Sequence, residues 1–454
     1  MTDAFITVTH KRNVSNKANP ALLIHSLNTT NQDVLLFDHI SNFKESIVSY
    51  LVSYIYKCIN SKRRLTLYKA TLMRARVQKS YEGMFILWMF DANAKGLLEN
   101  EYIPKCSIIN DDNILYTLTQ EGCNPTVAKS CVDNIDRTAY DIALHTLKKS
   151  IITQYECKLE LFKKDDGSFA FVRTTARNIK DINHRLEIRL SNKQYNRLWH
   201  LYCKCNTVPA VANGNTVPAV ANGNTDAVTQ SAVITNDFIE SSYFVVAKYN
   251  LLGGLNNSLS IPDVIDATIF NTLASKPIAM TRYDYTELFG SPLNTRADRY
   301  CSPFDGEKSK FDSKGTFFKF ELGDGVFVAN PPFDNELMLS MAKRLVEQLD
   351  KNRNKDIFII ITLPVWDPET QKQLKVRNYN TPFPAFDMLL NCKYLRDRDV
   401  LPRDFGYYNY YKDSYSPVTP SHLLLLSTRD INGKKIIAAI KNQWKDIIST
   451  VVYD

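Results

Sequence analysis

The sequence predicts an α/β fold for its second half, an open and mostly parallel sheet covered on both faces, after a mainly helical first half. Two apolar runs, 357–363 and 422–427, have the length and branched composition of strands that are buried on both faces. Segments with the spacing of amphipathic helices alternate with these strands, as they do in parallel sheets. A short perfect repeat separates the two halves.

The composition is that of a globular, reduced, water-soluble protein. The chain has 454 residues, with 44% hydrophobic and 23% charged residues, which excludes collagen-like, mucin-like and wholly disordered chains. A net charge of +8 permits a polyanionic partner such as nucleic acid without requiring one. Nine cysteines without CxxC spacing predict no disulfide framework and no metal site. We therefore expect an intracellular, reducing location and no association with a membrane, since no secretory signal or spanning segment is recognisable.

A duplicated segment divides the chain. Residues 206–214 read NTVPAVANG, and residues 215–223 repeat them without a change. Units of small residues with proline and glycine cannot bury a core, so the repeat is interpreted as a flexible, tolerated insertion. We predict an accessory domain over 1–202, a loop over 203–236 and an α/β domain over 237–454.

The first half shows helical spacing but no catalytic motif. Helices are predicted over 41–60 and about 64–79, and a β-hairpin is predicted to turn at 165–167. In the second half, strands are predicted at 283–289, 325–329, 357–363 and 422–427, and helices at 237–251, after Pro262, at 335–349 and at 435–452. Ligands bind at the carboxyl ends of strands in such a sheet.

One such strand end carries the sequence Asn330-Pro331-Pro332-Phe333. The exocyclic amine of adenine is a poor nucleophile because its lone pair is conjugated with the ring. Two acceptors aimed at its protons, the Asn330 side chain and a carbonyl held by the prolines, can make the nitrogen pyramidal without a strong base. Phe333 offers a face on which an extruded base can stack. The alternative is an ordinary loop that two prolines stiffen.

Further motifs follow the same order along the chain. They are Leu-Leu-Gly-Gly at 251–254, Phe-Gly-Ser-Pro-Leu-Asn at 289–294, Tyr-Cys-Ser-Pro-Phe at 300–304, Glu-Leu-Met at 336–338, Pro-Val-Trp at 364–366 and Pro-Ala-Phe at 384–386. With them, residues 248–426 resemble the cap-specific adenosine N6-methyltransferase family, the phosphorylated-CTD-interacting factor. The resemblance implies a Rossmann-like domain that uses S-adenosylmethionine, without a metal, to methylate N6 of the adenosine next to the 7-methylguanosine cap of mRNA.

The resemblance also implies roles for individual residues. The catalytic loop would be Asn330, Pro331, Pro332 and Phe333. The methyl donor would contact Ser291, Pro292 and Asn294 in a turn after a strand. Asn335 and Glu336, at the start of a helix, would either contact the donor or cap that helix. Trp366 could stack on a base or the cap of the RNA, or it could be a core residue. Apart from the resemblance, Arg296 and Arg299 belong to a basic cluster beside the expected site and could contact RNA phosphates, and the first half is expected to be an accessory or RNA-binding domain.

The chain departs from the family at two points. It lacks the pattern of two tryptophans and three strands of a WW module, so we expect no binding to the polymerase tail. Val365 stands where the family shows glutamate, which affects substrate recognition. Two other functions stay open: an N6-adenine methyltransferase acting on DNA or internal RNA, and a catalytically silent RNA-binding or scaffold protein. The location would be nucleus or cytoplasm, and the oligomeric state is open.

Overall fold

A computed structural model describes part of the chain. The described residues are 22–29, 98–100, 103–104, 125–126, 129–130, 156–176, 184–206, 234–251, 259–271, 280–297, 299–304, 307–333, 335–374 and 383–450. The helices predicted over 41–60 and 64–79 lie outside these residues, as does almost all of the repeat.

The described part of the first half consists mainly of strands. The strands are β1 (Leu22–Thr29), β2 (Leu98–Asn100), β3 (Ile103–Pro104), β4 (Glu156–Lys163), β5 (Phe169–Ala176) and β6 (His184–Leu190). Four of them form an antiparallel sheet in the order β1-β4-β5-β6. The predicted hairpin is confirmed, with Gly167 at a φ of 78° in its turn. The expectation of a mainly helical half is wrong for these residues, because alternate side chains such as Leu159 and Leu161 are buried at strand spacing.

The second half is a mixed α/β structure. Helix α1 (Asn192–Cys205) comes directly before the repeat. The elements after the repeat are, in chain order, α2 (Asn236–Leu251), β7 (Leu259–Ser260), β8 (Tyr285–Glu287), β9 (Arg299–Tyr300), α3 (Glu307–Phe311), β10 (Gly325–Ala329), α4 (Asn335–Lys351), β11 (Ile357–Pro364), α5 (Pro368–Gln373), α6 (Pro384–Leu390), β12 (Leu395–Leu401), β13 (Tyr407–Asn409), β14 (Ser414–Ser416), β15 (Ser421–Ser427) and α7 (Gly433–Ser449). No helix among the described residues has the length and apolar character needed to span a bilayer.

Six strands form the main sheet, in the order β12-β15-β11-β10-β8-β9. The neighbours β11, β10, β8 and β9 pair in parallel, whereas β15 runs antiparallel to both β11 and β12. The predicted mostly parallel sheet is therefore confirmed. A smaller antiparallel sheet has the order β14-β13-β7. Its strands β13 and β14 lie between the end of β12 and the start of β15 in the chain, at the carboxyl edge of the parallel strands, whereas β7 precedes β8.

Both faces of the main sheet are covered, and every residue of β11 is buried. Ile359 and Ile361 lie in a core with α4 and α6 on one face. Phe358 and Ile360 point to the opposite face, where α7 contributes Trp444 to a second core. The helix expected after Pro262 is replaced by a 3₁₀ turn over Ala267–Phe270.

Helix α1 precedes the repeat but packs against elements that follow it. Its start is a capping box formed by Ser191 and Gln194. The Trp199 and Phe238 ring centroids lie 4.7 Å apart, and Tyr202 contacts Phe238 at 5.1 Å. Burial of these rings ties α1 to α2, so the last helix before the repeat contacts the second half. The division of the chain into domains stays a prediction.

Candidate functional site

The predicted site residues follow two neighbouring strands at the point where the strand order reverses. From β8 the chain runs to β9 at the edge of the sheet, and from β10 it runs to β11 on the other side. The carboxyl ends of β8 and β10 therefore border the crevice in which ligands bind to open α/β sheets. The turn that contains Ser291 follows β8, and the loop that begins at Asn330 follows β10, so the structure brings these two motifs together.

The Asn330 side chain is oriented by the neighbouring strand. Strands β10 and β11 pair in a register that places Ala329 beside Ile361, so Asn330 lies next to Thr362. The Thr362 hydroxyl donates a hydrogen bond of 2.7 Å to Asn330 Oδ1. An amide oxygen has two lone pairs, so this oxygen can accept one further hydrogen bond. Asn330 itself is partly exposed at the crevice.

Aromatic rings extend from the Asn330 loop along one wall of the site. The half-buried Phe333 meets Trp366 edge to face, with ring centroids 6.4 Å apart. Trp366 in turn lies 5.5 Å from Phe383, which stacks on Phe386 at 6.0 Å. Phe386 stacks on the His422 imidazole at 3.9 Å. Pro331 of the loop is buried and Pro332 is exposed, so the two prolines face different environments.

A buried histidine fixes the loop that carries Trp366. His422 Nε2 lies 2.6 Å from Asp367 Oδ2, and Asp367 also caps α5 by accepting from the Thr370 backbone at 2.8 Å. Burial lowers the pKa of His422, although Asp367 opposes this effect. Burial alone raises the pKa of Asp367, but its hydrogen bonds to Thr370 and His422 lower it overall. The contact between His422 of β15 and Asp367 thus fixes the loop between β11 and α5.

The turn after β8 is closed by its own side chains. Asn294 Oδ1 accepts from the Ser291 backbone at 2.8 Å and from the Ser291 hydroxyl at 2.7 Å. Ser260 in β7 donates to the Asn294 carbonyl at 2.9 Å, which joins the small sheet to the turn. Ser291 and Pro292 are buried. These bonds shape the backbone of the turn, which is the part expected to approach the donor.

Sequence reasoning missed Glu287, the last residue of β8. Its carboxyl is buried behind the turn, where a Cβ atom added to Gly290 would lie 3.4 Å from Glu287 Oε2. Burial raises the pKa of Glu287 to about 7, although the Thr295 hydroxyl, the Arg296 backbone and the charge of Arg197 lower it. The available signal was a carboxylate in an otherwise uncharged, buried strand.

The first turn of α4 supplies a hydrogen-bond acceptor that suits the expected methyl donor. Asn335 Oδ1 is buried and has no hydrogen-bond partner among the described residues. S-adenosylmethionine carries an ammonium group that can donate to such an oxygen, so the residue fits the group. Glu336 follows it as the second residue of α4, and nothing is described of its side chain.

The two predicted arginines lie in different elements, Arg296 in the loop after β8 and Arg299 in β9. Arg296 Nε donates to the Tyr410 hydroxyl at 2.6 Å, and its guanidinium lies 4.8 Å from the centre of the Tyr408 ring. Arg296 therefore binds the loop after β8 to the small sheet. Arg299 is exposed in the edge strand β9, level with Thr286 of β8.

Comparisons with known proteins match the part of the chain that carries this site. The family model described as "Phosphorylated CTD interacting factor 1 WW domain" matches residues 225–392. The mouse and human proteins named mRNA (2'-O-methyladenosine-N(6)-)-methyltransferase are each 34% identical over 107 residues. Each match covers 22% of this chain and 15% of the relative's own length.

The matched range is an α/β segment rather than a small three-stranded module. It contains the elements from α2 to α6 and one tryptophan, Trp366. It also contains the Ser291 turn and the loop from Asn330 to Phe333. Residues 225–392, which carry both strand-end motifs of the crevice, are thus similar to the phosphorylated CTD interacting factor 1 family.

Proposed function

We propose that the chain is an S-adenosylmethionine-dependent adenine-N6 methyltransferase that acts on the adenosine next to the 7-methylguanosine cap of mRNA. The observation that carries this proposal is the acceptor oxygen of Asn330, held by Thr362 at the crevice, in the same loop as the Phe333 ring. The names of the mouse and human relatives support an mRNA substrate that carries 2'-O-methyladenosine.

The domain that carries the site is proposed to be Rossmann-like. Its support is the parallel group β11-β10-β8-β9, the reversal of strand order between β8 and β10, and helices on both faces. The antiparallel β15 extends this group without adding a second reversal at the crevice. A ligand site at the carboxyl ends of β8 and β10 follows from that topology.

Asn330 activates the target amine by accepting a hydrogen bond. Its Oδ1 offers one lone pair to an N6 proton, because Thr362 uses the other. A backbone carbonyl beside Pro331 offers the second acceptor, and the fixed φ of the prolines holds it in place. Both acceptors are neutral, so they draw the nitrogen lone pair out of conjugation without a strong base. The proton that N6 loses on methylation passes to water.

Phe333 binds the adenine ring by stacking. A base on a flexible RNA strand presents its face to an aromatic side chain, and such stacking contributes about 1–3 kcal/mol per base. Trp366 meets Phe333 at an interplanar angle of 77° and limits how far its ring can turn. The row of rings behind Trp366 stiffens this wall, so the base is held against Asn330.

The residues of the donor site follow β8 and begin α4. S-adenosylmethionine, when bound, supplies an electrophilic methyl group on a sulfonium. The backbone of the Ser291–Asn294 turn and the unpartnered Asn335 Oδ1 are the groups that would hold it. Pro292 shapes that turn, and a contact from Glu336 remains part of the proposal. No step requires a metal.

Capped RNA is the proposed partner. The exposed Arg299 can contact an RNA phosphate, whereas Arg296 acts indirectly because Tyr408 and Tyr410 hold its guanidinium. An mRNA substrate places the reaction in the nucleus or the cytoplasm. No binding of the polymerase tail is proposed.

The test is a methyl-transfer assay with the full chain, labelled S-adenosylmethionine and four RNAs that begin with adenosine. The RNAs are capped or uncapped, each with and without a 2'-O-methyl group on that adenosine. Nucleoside analysis should give N6-methylated product from capped RNA, and Asn330→Ala and Phe333→Ala should abolish it. Asn391→Ala, which changes an exposed asparagine at the end of α6, is the matched control and should keep activity.

Three outcomes would contradict the proposal. Equal methylation of capped and uncapped RNA would point to the alternative of an internal RNA or DNA methyltransferase. Full activity of Asn330→Ala would remove the acceptor role. A folded protein that binds no S-adenosylmethionine by calorimetry would be a silent RNA-binding or scaffold protein.

A further inference from the structure

We propose that Thr362 is a positioning residue for methyl transfer, which holds the Asn330 amide with its oxygen end ready for the adenine amine. The inference rests on the proposed function and deepens it. It assigns a role to a residue in β11, 32 positions from Asn330 in the chain. The role of Thr362 is indirect, since it acts through Asn330 and touches no substrate.

The surroundings of Thr362 require its hydroxyl to find a partner. It is the one polar residue in β11, whose sequence is IFIIITLP, and it is fully buried. A buried hydroxyl costs free energy unless it forms a hydrogen bond. The bond of 2.7 Å to Asn330 Oδ1 meets this need, and the parallel register with β10 places the two residues side by side.

Two further hydroxyls, those of Tyr407 and Ser421, belong to the same buried polar group as Thr362. The Tyr407 hydroxyl donates to Ser421 Oγ at 3.1 Å, and Ser421 donates to the Thr419 carbonyl at 3.2 Å. Burial raises the pKa of Tyr407, and the Ser421 and Thr362 hydroxyls oppose that rise, which places Thr362 in the same polar group. Tyr407 gives its proton to Ser421 and therefore does not compete with Thr362 as a donor to Asn330, and the Thr362 hydroxyl itself donates to Asn330 Oδ1.

This arrangement has a consequence for catalysis. The Asn330 amide has an oxygen that accepts and a nitrogen that donates, and only the oxygen can pair with the N6 protons. Without the Thr362 hydroxyl, the amide can rotate about its last side-chain bond and present its nitrogen to the amine. Two donors then face each other, and the fraction of productive complexes falls. A loss of orientation of this kind lowers the rate more than it weakens binding.

The experiment compares Thr362→Val with Thr362→Ser in the full chain. Valine keeps the shape of threonine and removes the hydroxyl, whereas serine keeps the hydroxyl. We expect Thr362→Val to lower kcat by about 10- to 100-fold, with KM for the donor within about 2-fold of wild type. Thr362→Ser should restore kcat to within about 3-fold. Donor binding by calorimetry should be the same in all three proteins.

The matched control is Thr428→Val. The Thr428 hydroxyl donates 2.6 Å to the Lys355 carbonyl at the amino edge of the sheet, far from the crevice. The Thr428→Val substitution removes a hydrogen-bonded threonine hydroxyl at the other edge of the same sheet. It should therefore lower stability by a similar amount and leave kcat unchanged. If Thr362→Val does not fold, Thr362→Cys takes its place, because a thiol is a weak donor in a similar volume.

The inference is overturned if Thr362→Val keeps the wild-type kcat or if Thr362→Ser is as slow as Thr362→Val. It is also overturned if Thr428→Val loses kcat to the same extent, since the effect would then come from stability. A wild-type protein that methylates no adenosine overturns the proposed function, and this inference with it. That outcome is distinguishable, because it is seen before any variant is compared.

Discussion

Replacing Glu287 by glutamine should stabilise the protein above neutral pH and reduce the dependence of its stability on pH. The carboxyl group is buried at the end of β8, and burial raises its pKa to about 7. It faces Arg197 from α1, Arg296 from the following loop, and the buried hydroxyls of Tyr285 and Tyr410. Glutamine has the same shape and carries no charge at any pH.

The sign and size of the effect follow from the two pKa values. In the unfolded chain the carboxyl titrates near its usual value of 4.5, well below the folded value. Between these values the folded protein keeps a proton that the unfolded chain releases, so the free energy of unfolding falls as pH rises. The loss in free energy of unfolding that Glu287 causes is absent below pH 4.5, grows up to pH 7 and then stays constant at about 3 kcal/mol.

The assay is denaturant unfolding of the wild type and Glu287→Gln at about pH 5.5 and about pH 8. The gain from glutamine should be about 2 kcal/mol larger at the higher pH. Glu347→Gln, at an exposed position on α4, is the control and should show no such difference. An equal effect at both pH values, or a loss of stability near pH 8, would show that Arg197 and Arg296 hold Glu287 ionised, and would refute the reasoning.

Three further predictions concern packing, acid stability and the repeat. Gly433→Ala should destabilise the protein by about 1–3 kcal/mol in thermal unfolding, because the new Cβ would lie 2.8 Å from the backbone carbonyl of Arg396. Gly323→Ala has no described atom within 4 Å of its Cβ and should leave Tm unchanged. His422→Gln should make the free energy of unfolding fall less below about pH 6.5, as measured by unfolding at two pH values. The reason is that the folded protein disfavours the charged imidazole, whereas the unfolded chain accepts it. Deleting residues 215–223 should change the unfolding free energy by less than about 1 kcal/mol in denaturant titrations, since loop-closure entropy varies slowly with length.

The predicted strands agree with the structure where the apolar runs are continuous. Strand β10 was predicted with the bounds it has, and β11 extends one residue beyond its predicted end. Strand β12 was missed because LRDRDVL carries four charges in succession, which an edge strand with one neighbour can leave in solvent. Val264 and Ile265 were expected to lead into a helix, but both pack in the core beside the sheet, and the chain there forms a 3₁₀ turn instead.

The candidate site shows the same contrast between local and non-local information. The loop from Asn330 to Phe333 could be predicted because its acceptor, its prolines and its aromatic ring are contiguous in the sequence. The role of Thr362 depends on the register between β10 and β11, and no window of sequence contains that register. The same holds for Glu287 and His422, whose contacts come from other elements.

These three residues nevertheless share a signal that sequence can carry. Each is a polar group at or near the end of a buried strand: Glu287 closes β8, Thr362 lies two residues from the end of β11, and His422 is the second residue of β15. Because β15 is antiparallel to β11, its start lies at the same edge of the sheet as the other two strand ends. A polar side chain buried there must bond to something, and ligands of α/β sheets bind at that edge. A polar residue near that end of an apolar strand is therefore a better guide to positioning residues than a motif search, which finds only the residues that lie together in the chain.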